Sequence, residues 1–284
     1  MEMESISLSN AAGIGLRLPH ILEVAATRPH VGWLEIHPEN FLANPHAAEL
    51  LCELSEHYPV SFHTVGISIG SASGIDNNHL KRIRNLVQRI NPVFVSGHLA
   101  WSTFKHEYLN DLLPLPYNAE ALQLVEAHLH KVQDNLGRSY LIENPSSYIG
   151  FTTSTMSEVE FLSELVRRTG CSLLCDVSNI HVSAQNMGFD AHTYIDDLPS
   201  NAISELHLGG YAPEEGLLID THAAPISKDA WDLYAYAVRR FGPKPTLIEW
   251  DNDIPPLATL LAEAKHAEHI AVEASLKEVR VVSH

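Results

Sequence analysis

Basic side chains are scarce in this chain: 18 lysines and arginines stand against 35 aspartates and glutamates, a formal charge of −17 over 284 residues. Phosphate backbones are gripped by clustered Lys and Arg, so this balance disfavours nucleic acid as a partner and leaves room for a basic peptide or protein. Cysteine is scarcer still. Cys52, Cys171 and Cys175 are an odd, sparse set with no basic-plus-apolar leader before them, which argues against a disulfide framework and points to reducing cytosol. No apolar run approaches the roughly 20 residues that a membrane span needs, so no membrane is expected. Linkers, repeats and low-complexity stretches are missing too. With 45% apolar residues, the chain is expected to form one domain over residues 1–284.

What the chain has in quantity is histidine, 18 residues, as many as Lys and Arg together. Their placement is rhythmic. Seven of eight apolar β-like runs end in His, Asp, Glu or Asn: Val31–His37, Ser61–His63, Val95–His98, Tyr140–Asn144, Leu173–Asp176, Ile203–His207 and Leu247–Glu249. The first strand falls at Gly13–Leu18. Helical periodicity fills the gaps, with Leu80, Ile83, Val87 and Ile90 on one face of 79–90 and Leu122, Val125, Leu129, Val132 and Leu136 on one face of 119–136. Ser157 with Glu160 forms a capping box for a helix that Gly170 closes. Trp231, Tyr234 and Val238 mark another helix, and 255–274 the last. Strand and helix alternating eight times predict an α/β fold, a single (β/α)8 TIM-type barrel. Such a barrel gathers its active site at the carboxyl ends of the strands, where these polar residues sit.

His63 and His98 each follow a β-branched or aromatic run and could face the barrel mouth as neutral imidazoles, although either alone reads more readily as a hydrogen-bonded core or surface histidine than as a ligand. Glu143 and Asn144 follow Tyr140–Ile142, where a buried carboxylate needs a cation or hydrogen bonds. Asp176, with Asn179 and His181 close behind, reads as a ligand or as a turn or helix cap. Glu205 and His207 alternate and share a strand face. Asp220 and His222 follow an apolar run outside the strand count and also read as a solvated loop, while Glu249 closes the last strand. Imidazole with carboxylate and no thiolate favours iron, manganese or zinc, in more than one ion. The region 101–117, rich in Leu and Pro, is expected as a loop whose Trp101, Phe104, Tyr108, Leu112 and Leu115 either form a lid or partner surface or pack onto the barrel.

At Gly15–Arg17, Glu35–Asn40, Ser96–Leu99, Leu112–Tyr117, Glu143–Tyr148, Asp176–Asn179, His207–Tyr211, Asp220–His222 and Leu247–Asp251, the sequence resembles the multinuclear non-heme iron-dependent oxidases typified by the methanobactin-biosynthesis oxidase and including the thiaglutamate-type cysteine carbon-excision enzymes. The resemblance implies two or three irons of mixed Fe(II)/Fe(III) state with dioxygen as co-substrate. One iron would be held by His63, His98 and Glu143. A second would share Glu143 and be held by Asp176, His207 and Glu249, and a third would lie near Asn144, His181, Asp220 and His222. It also implies a cysteine-containing ribosomal peptide as substrate, a small leader-binding partner protein, and oxidation that begins by hydrogen abstraction from the cysteine Cβ, with β-carbon excision from a C-terminal cysteine as the leaning. Two departures stand out: Gly97 where many relatives carry Asp, expected to remove a group that orients His98, and Tyr211 where many have His, expected to alter the pocket wall. The alternative is a zinc- or manganese-dependent barrel hydrolase or isomerase of the endonuclease IV or xylose isomerase type; a metal-storage protein is a third possibility.

Overall fold

The apolar runs become strands because their β-branched and aromatic residues can be buried on both faces of a parallel sheet. A computed structural model describes residue 8 and residues 11–105 and 107–281. Eight parallel strands close a barrel: β1 (Ala12–Gly15), β2 (Trp33–Ile36), β3 (Val60–Thr64), β4 (Val95–His98), β5 (Leu141–Glu143), β6 (Ser172–Asp176), β7 (Ile203–Gly209) and β8 (Thr246–Glu249). Closure comes from β1, which pairs with β8 through Gly13 and Leu247 and with β2 through Gly13 and Trp33. The expected TIM-type architecture is therefore the observed one.

Helices cover the outside and end where their sequence says they should. Ser157 Oγ accepts from Glu160 N at 3.2 Å while Glu160 Oε2 accepts from Ser157 N at 2.7 Å, and Gly170 terminates that helix, Glu158–Thr169, at φ 66°. Two expectations shift. β1 stops at Gly15 because Pro19 sets a short 3-10 turn over Leu18–His20. Region 101–117 is not an irregular loop: Trp101–Phe104 and Glu107–Leu113 pair as an antiparallel hairpin. Its apolar residues divide, with Leu115 buried and Trp101 Nε1 donating to Pro114 O at 2.8 Å, while Phe104, Tyr108 and Leu112 stay exposed. A second hairpin, Ala212–Glu214 with Leu217–Ile219, delivers Asp220 and His222 to the rim.

Candidate metal centre

Strand register decides which polar residues meet. Partners in a parallel ladder lie side by side on one face, and here His98 is the partner of Glu143, and Asp176 of His207. Ligand-type atoms of His63, His98 and Glu143 converge in one group, and those of Glu143, Asp176, His207 and Glu249 in another. Glu143 belongs to both. His63 Nε2 and His98 Nε2 lie 3.2 and 3.4 Å from Glu143 Oε2 and 3.1 Å from each other. Ligand atoms about 2.1 Å from one ion stand about 3.0 Å apart on an octahedral edge and about 3.4 Å apart on a tetrahedral one. The three observed edges span that interval.

The local supports fit a cation as well. His63 Nδ1 is engaged with Ser96 Oγ at 2.8 Å, which leaves Nε2 for the centre. Asp176 uses Oδ1 to cap the helix Val177–Met187 through Asn179 N at 2.7 Å, and its Oδ2 is buried without a hydrogen-bond partner, as is Glu143 Oε2. The cap and ligand readings of Asp176 are thus compatible, one oxygen for each. His222 Nε2 faces Asp220 Oδ1 at 2.8 Å, and its Nδ1 faces Asp251 Oδ2 at 3.1 Å. His63, His98, Glu143, Asp220, His222 and Asp251 line a cavity of about 370 Å³, together with Tyr108 and Leu112 of the hairpin and Tyr148.

Electrostatics says the cluster is short of positive charge. Burial raises Glu143 well above the ordinary carboxylate range and pushes Asp176 up to about 7. Burial also keeps His63 well below the usual imidazole value and takes His98 down to about 4, so both are neutral and can donate a lone pair. His207 and His222 go the other way: burial opposes, but Glu35 beside the first and Asp220 beside the second raise both well above the usual value. Glu249, despite burial, is held well below its ordinary value by His222 and His207. Arg17 contacts Glu249 Oε1 at 3.3 Å and Asp251 Oδ1 at 2.5 Å. It lies in space that Gly15 leaves open, since a Cβ there would stand 3.0 Å from Arg17 Nη1.

Eight of the ten residues expected from the sequence meet here. His63, His98, Glu143, Asp176, His207 and Glu249 form the two groups, and Asp220 with His222 flank them at the rim. Two are differently engaged. Asn144 spends both ends of its amide on Asp176, donating to the backbone O at 2.9 Å and accepting from the backbone N at 3.0 Å. His181 Nε2 is 3.1 Å from Tyr211 Oη and belongs to none of the described convergent groups. The ligands expected from the sequence leave out His37 and Asp251, which converge with Glu249, and Glu35, which converges on His207 together with Glu205, a residue expected only to share that histidine's strand face. The signal was the period of two: 35 and 37, 205 and 207, 249 and 251 each share a face.

Both departures act elsewhere than expected. A Cβ on Gly97 would stand 2.1 Å from Tyr140 Oη and 2.8 Å from Thr64 O, so position 97 faces the Thr64–Tyr140 contact, and strand alternation turns it to the face opposite its neighbour His98. Tyr211 stacks on His181 with ring centroids 5.2 Å apart and does not line the cavity. The paired glycines before it have a steric role. A Cβ at Gly209 would meet His222 Cδ2 at 2.4 Å, and one at Gly210 would meet Ala224 O at 1.7 Å, so only bare backbone lets the 220–224 segment close onto β7.

Fold and site together define a parallel α/β barrel with a multi-residue His and carboxylate centre at its strand ends. Solved structures of the same fold include a D-tagatose 3-epimerase-like protein, with TM-score 0.60, 15% identity and coverage of 96% of this chain and 99% of that one. Another is the IolI protein with a bound zinc atom, with TM-score 0.56, 14% identity and coverage of 95% and 98%. At such identities the likeness is one of fold. Sequence is more specific: the chain belongs to the family of RiPP precursor modification enzymes MbnB/TglH/ChrH, whose model matches residues 11–272. It is 47% identical over 268 residues to a UPF0276 protein of Chromobacterium violaceum, covering 94% of this chain and 97% of that protein. A UPF0276 protein of Caulobacter vibrioides is 44% identical over 282 residues, covering 98% and 100%. The family implies a peptide substrate. No helix among the described residues is long and apolar enough to cross a membrane.

Proposed function

We propose that this chain is an iron- and dioxygen-dependent oxidase that modifies a cysteine of a ribosomally made peptide, acting in the cytosol with a small leader-binding partner. The observation that carries the reading is Glu143, whose unpartnered Oε2 faces two neutral imidazoles while the same side chain belongs to a second group of buried ligand-type residues. A buried carboxylate shared in this way suits two adjacent cations. His63, His98 and Glu143 would hold one iron; Glu143, Asp176, His207 and Glu249 the second; Asp220 and His222 a third. Asn144 and His181 could join only by giving up their present partners: Asn144 supports the Asp176 backbone and His181 is engaged with Tyr211.

Iron held there supplies a thiolate-accepting, redox-active centre at which dioxygen can be reduced. The chain's own residues do the rest. Ser96 fixes the His63 ring, the Asn179 N–H in the first turn of the helix that Asp176 caps fixes Asp176, and Arg17 offsets the charge of Glu249 and Asp251. Tyr108 and Leu112 narrow the approach to a cavity suited to a side chain and a chain terminus, which favours a C-terminal cysteine with its Cβ presented to the centre. The exposed aromatic edge of the hairpin is the proposed dock for the partner.

Anaerobically prepared protein should contain more than one iron per chain and consume dioxygen only when a cysteine peptide and the partner are supplied. One tightly bound zinc with no iron requirement would overturn the oxidase reading and favour a hydrolase or isomerase. Undiminished turnover without the partner would remove the docking role of the hairpin.

A further inference from the structure

Behind the centre, β2 and β7 send two glutamates into the barrel interior. Glu35 and Glu205 are 0% exposed, and all four of their carboxylate oxygens lack a hydrogen-bond partner. Apolar side chains of the same size would be the less costly filling for this position. Both carboxylates converge on one atom: His207 Nε2 lies 3.4 Å from Glu35 Oε2 and 3.4 Å from Glu205 Oε1. The other ring nitrogen, Nδ1, points the opposite way, 3.0 Å from Glu249 Oε2. The imidazole therefore has one nitrogen towards the centre and one between two carboxylates.

We propose that Glu35 and Glu205 are positioning residues that clamp His207 from two strands, so that its Nδ1 is presented to the ion shared with Glu143, Asp176 and Glu249. This rests on the metal-centre reading above. The physics is specific to a pair. One carboxylate behind an imidazole fixes its tautomer and raises its basicity as a ligand. Two carboxylates at equal distance, one from β2 and one from β7, also fix the ring against swinging, because moving towards either acceptor abandons the other. The 3.4 Å separations slightly exceed an ordinary N–H···O bond of about 2.7–3.2 Å, so the clamp tightens only by the two carboxylates following Nε2 as the ring settles on a cation. Glu205 is placed for this by sequence alone, two residues before His207 on the same strand face.

Cobalt(II) is the probe, because its visible d–d bands report the coordination of each bound ion. Wild-type protein should bind more than one equivalent. Glu205→Leu should weaken one equivalent 10–100-fold and shift its bands, leave the others unchanged, and leave the melting temperature of the metal-free protein no lower. Glu205→Gln, which keeps an acceptor oxygen, should recover most of that affinity, and Glu35→Leu and Glu35→Gln should repeat the pattern. Unchanged affinity and bands in the Leu variants would overturn the clamp while leaving the centre intact. Loss of a whole equivalent in Leu and Gln variants alike would overturn it by showing that the glutamates themselves hold an ion, and an equal fall in every equivalent with a lower melting temperature would reduce them to a structural role. Failure of the wild-type protein to bind cobalt would remove the centre, and the clamp with it.

Discussion

Glu143→Gln separates what the carboxylate does for the metals from what it does for the fold. The amide keeps the shape, and its carbonyl can still accept from Asn179 Nδ2, which now lies 3.4 Å from Glu143 Oε1. It loses the charge at the one position shared by both ligand groups. Outer partners of metal ligands typically cost about 10–100-fold in affinity when removed, so loss of a shared direct ligand should exceed about 100-fold for at least one ion. The fold responds with the opposite sign. In metal-free protein Glu143 is a fully buried carboxyl held far above its ordinary range by burial, so ionising it at neutral pH is costly. Keeping that carboxyl protonated at a pH where the unfolded chain ionises it costs folding free energy that an amide does not; a gain on the order of 1–4 kcal/mol, as seen when buried ionic groups are replaced, moves Tm by about 2–4 °C per kcal/mol in chains near this size. Metal-free Glu143→Gln should therefore melt several degrees above metal-free wild type, yet hold less iron and show no peptide-dependent dioxygen uptake. Calorimetry and elemental analysis on the same sample provide the check. Full iron content would refute the shared-ligand argument, and a metal-free variant less stable than wild type would refute the buried-carboxyl one.

Gly97→Ala should destabilise the protein by about 1–3 kcal/mol, the usual cost of overpacking, because its Cβ meets Tyr140 Oη; adding Tyr140→Phe removes that oxygen and should recover part of the loss in denaturant unfolding. For pH, metal-free protein should gain stability as pH falls from roughly 8.5 towards 6.5. Over that range folded Asp176 and Glu205, both raised to about 7, and His207 and His222, both raised, take up protons that the unfolded chain does not. Below 6.5 the lowered His63 and His98 oppose the gain and flatten the curve, since the unfolded chain then binds their protons first, while the raised carboxyls still hold protons only in the folded state. Metal-loaded protein should follow the opposite course and release metal on acidification, since protons and cations compete for the same atoms; melting curves with and without metal between pH 6 and 8.5 would reveal whether the two slopes differ in sign.

The barrel was legible because its strands are short apolar runs cut off by polar residues, and its helices because Ser157 and Gly170 mark ends by local chemistry. Ligand-type residues at strand ends were legible for the same reason. What one-dimensional reading missed is partnership. Asn144 sits next to Glu143, but whether its amide is free depends on the Asp176 backbone one strand away. Glu35 and Glu205 belong to strands on opposite sides of β1 and β8, and only closure of the barrel makes them neighbours of one imidazole. The 101–113 hairpin lacks the Asn-Gly or Asp-Gly turn that announces such a unit, so composition suggested a loop.

The charge imbalance at the strand ends reaches beyond chemistry. A barrel whose upper interior is built from Glu, Asp and His is, without cations, a domain with part of its core left uncompensated, and bound ions do there what leucines do lower down. A ligand present at 100 times its dissociation constant stabilises the folded state by about 2.7 kcal/mol. A change of that size alters how often a protein opens to proteases and how much of it a cell retains. The amount of this protein should therefore follow metal supply, with scarcity removing the protein itself as well as its activity.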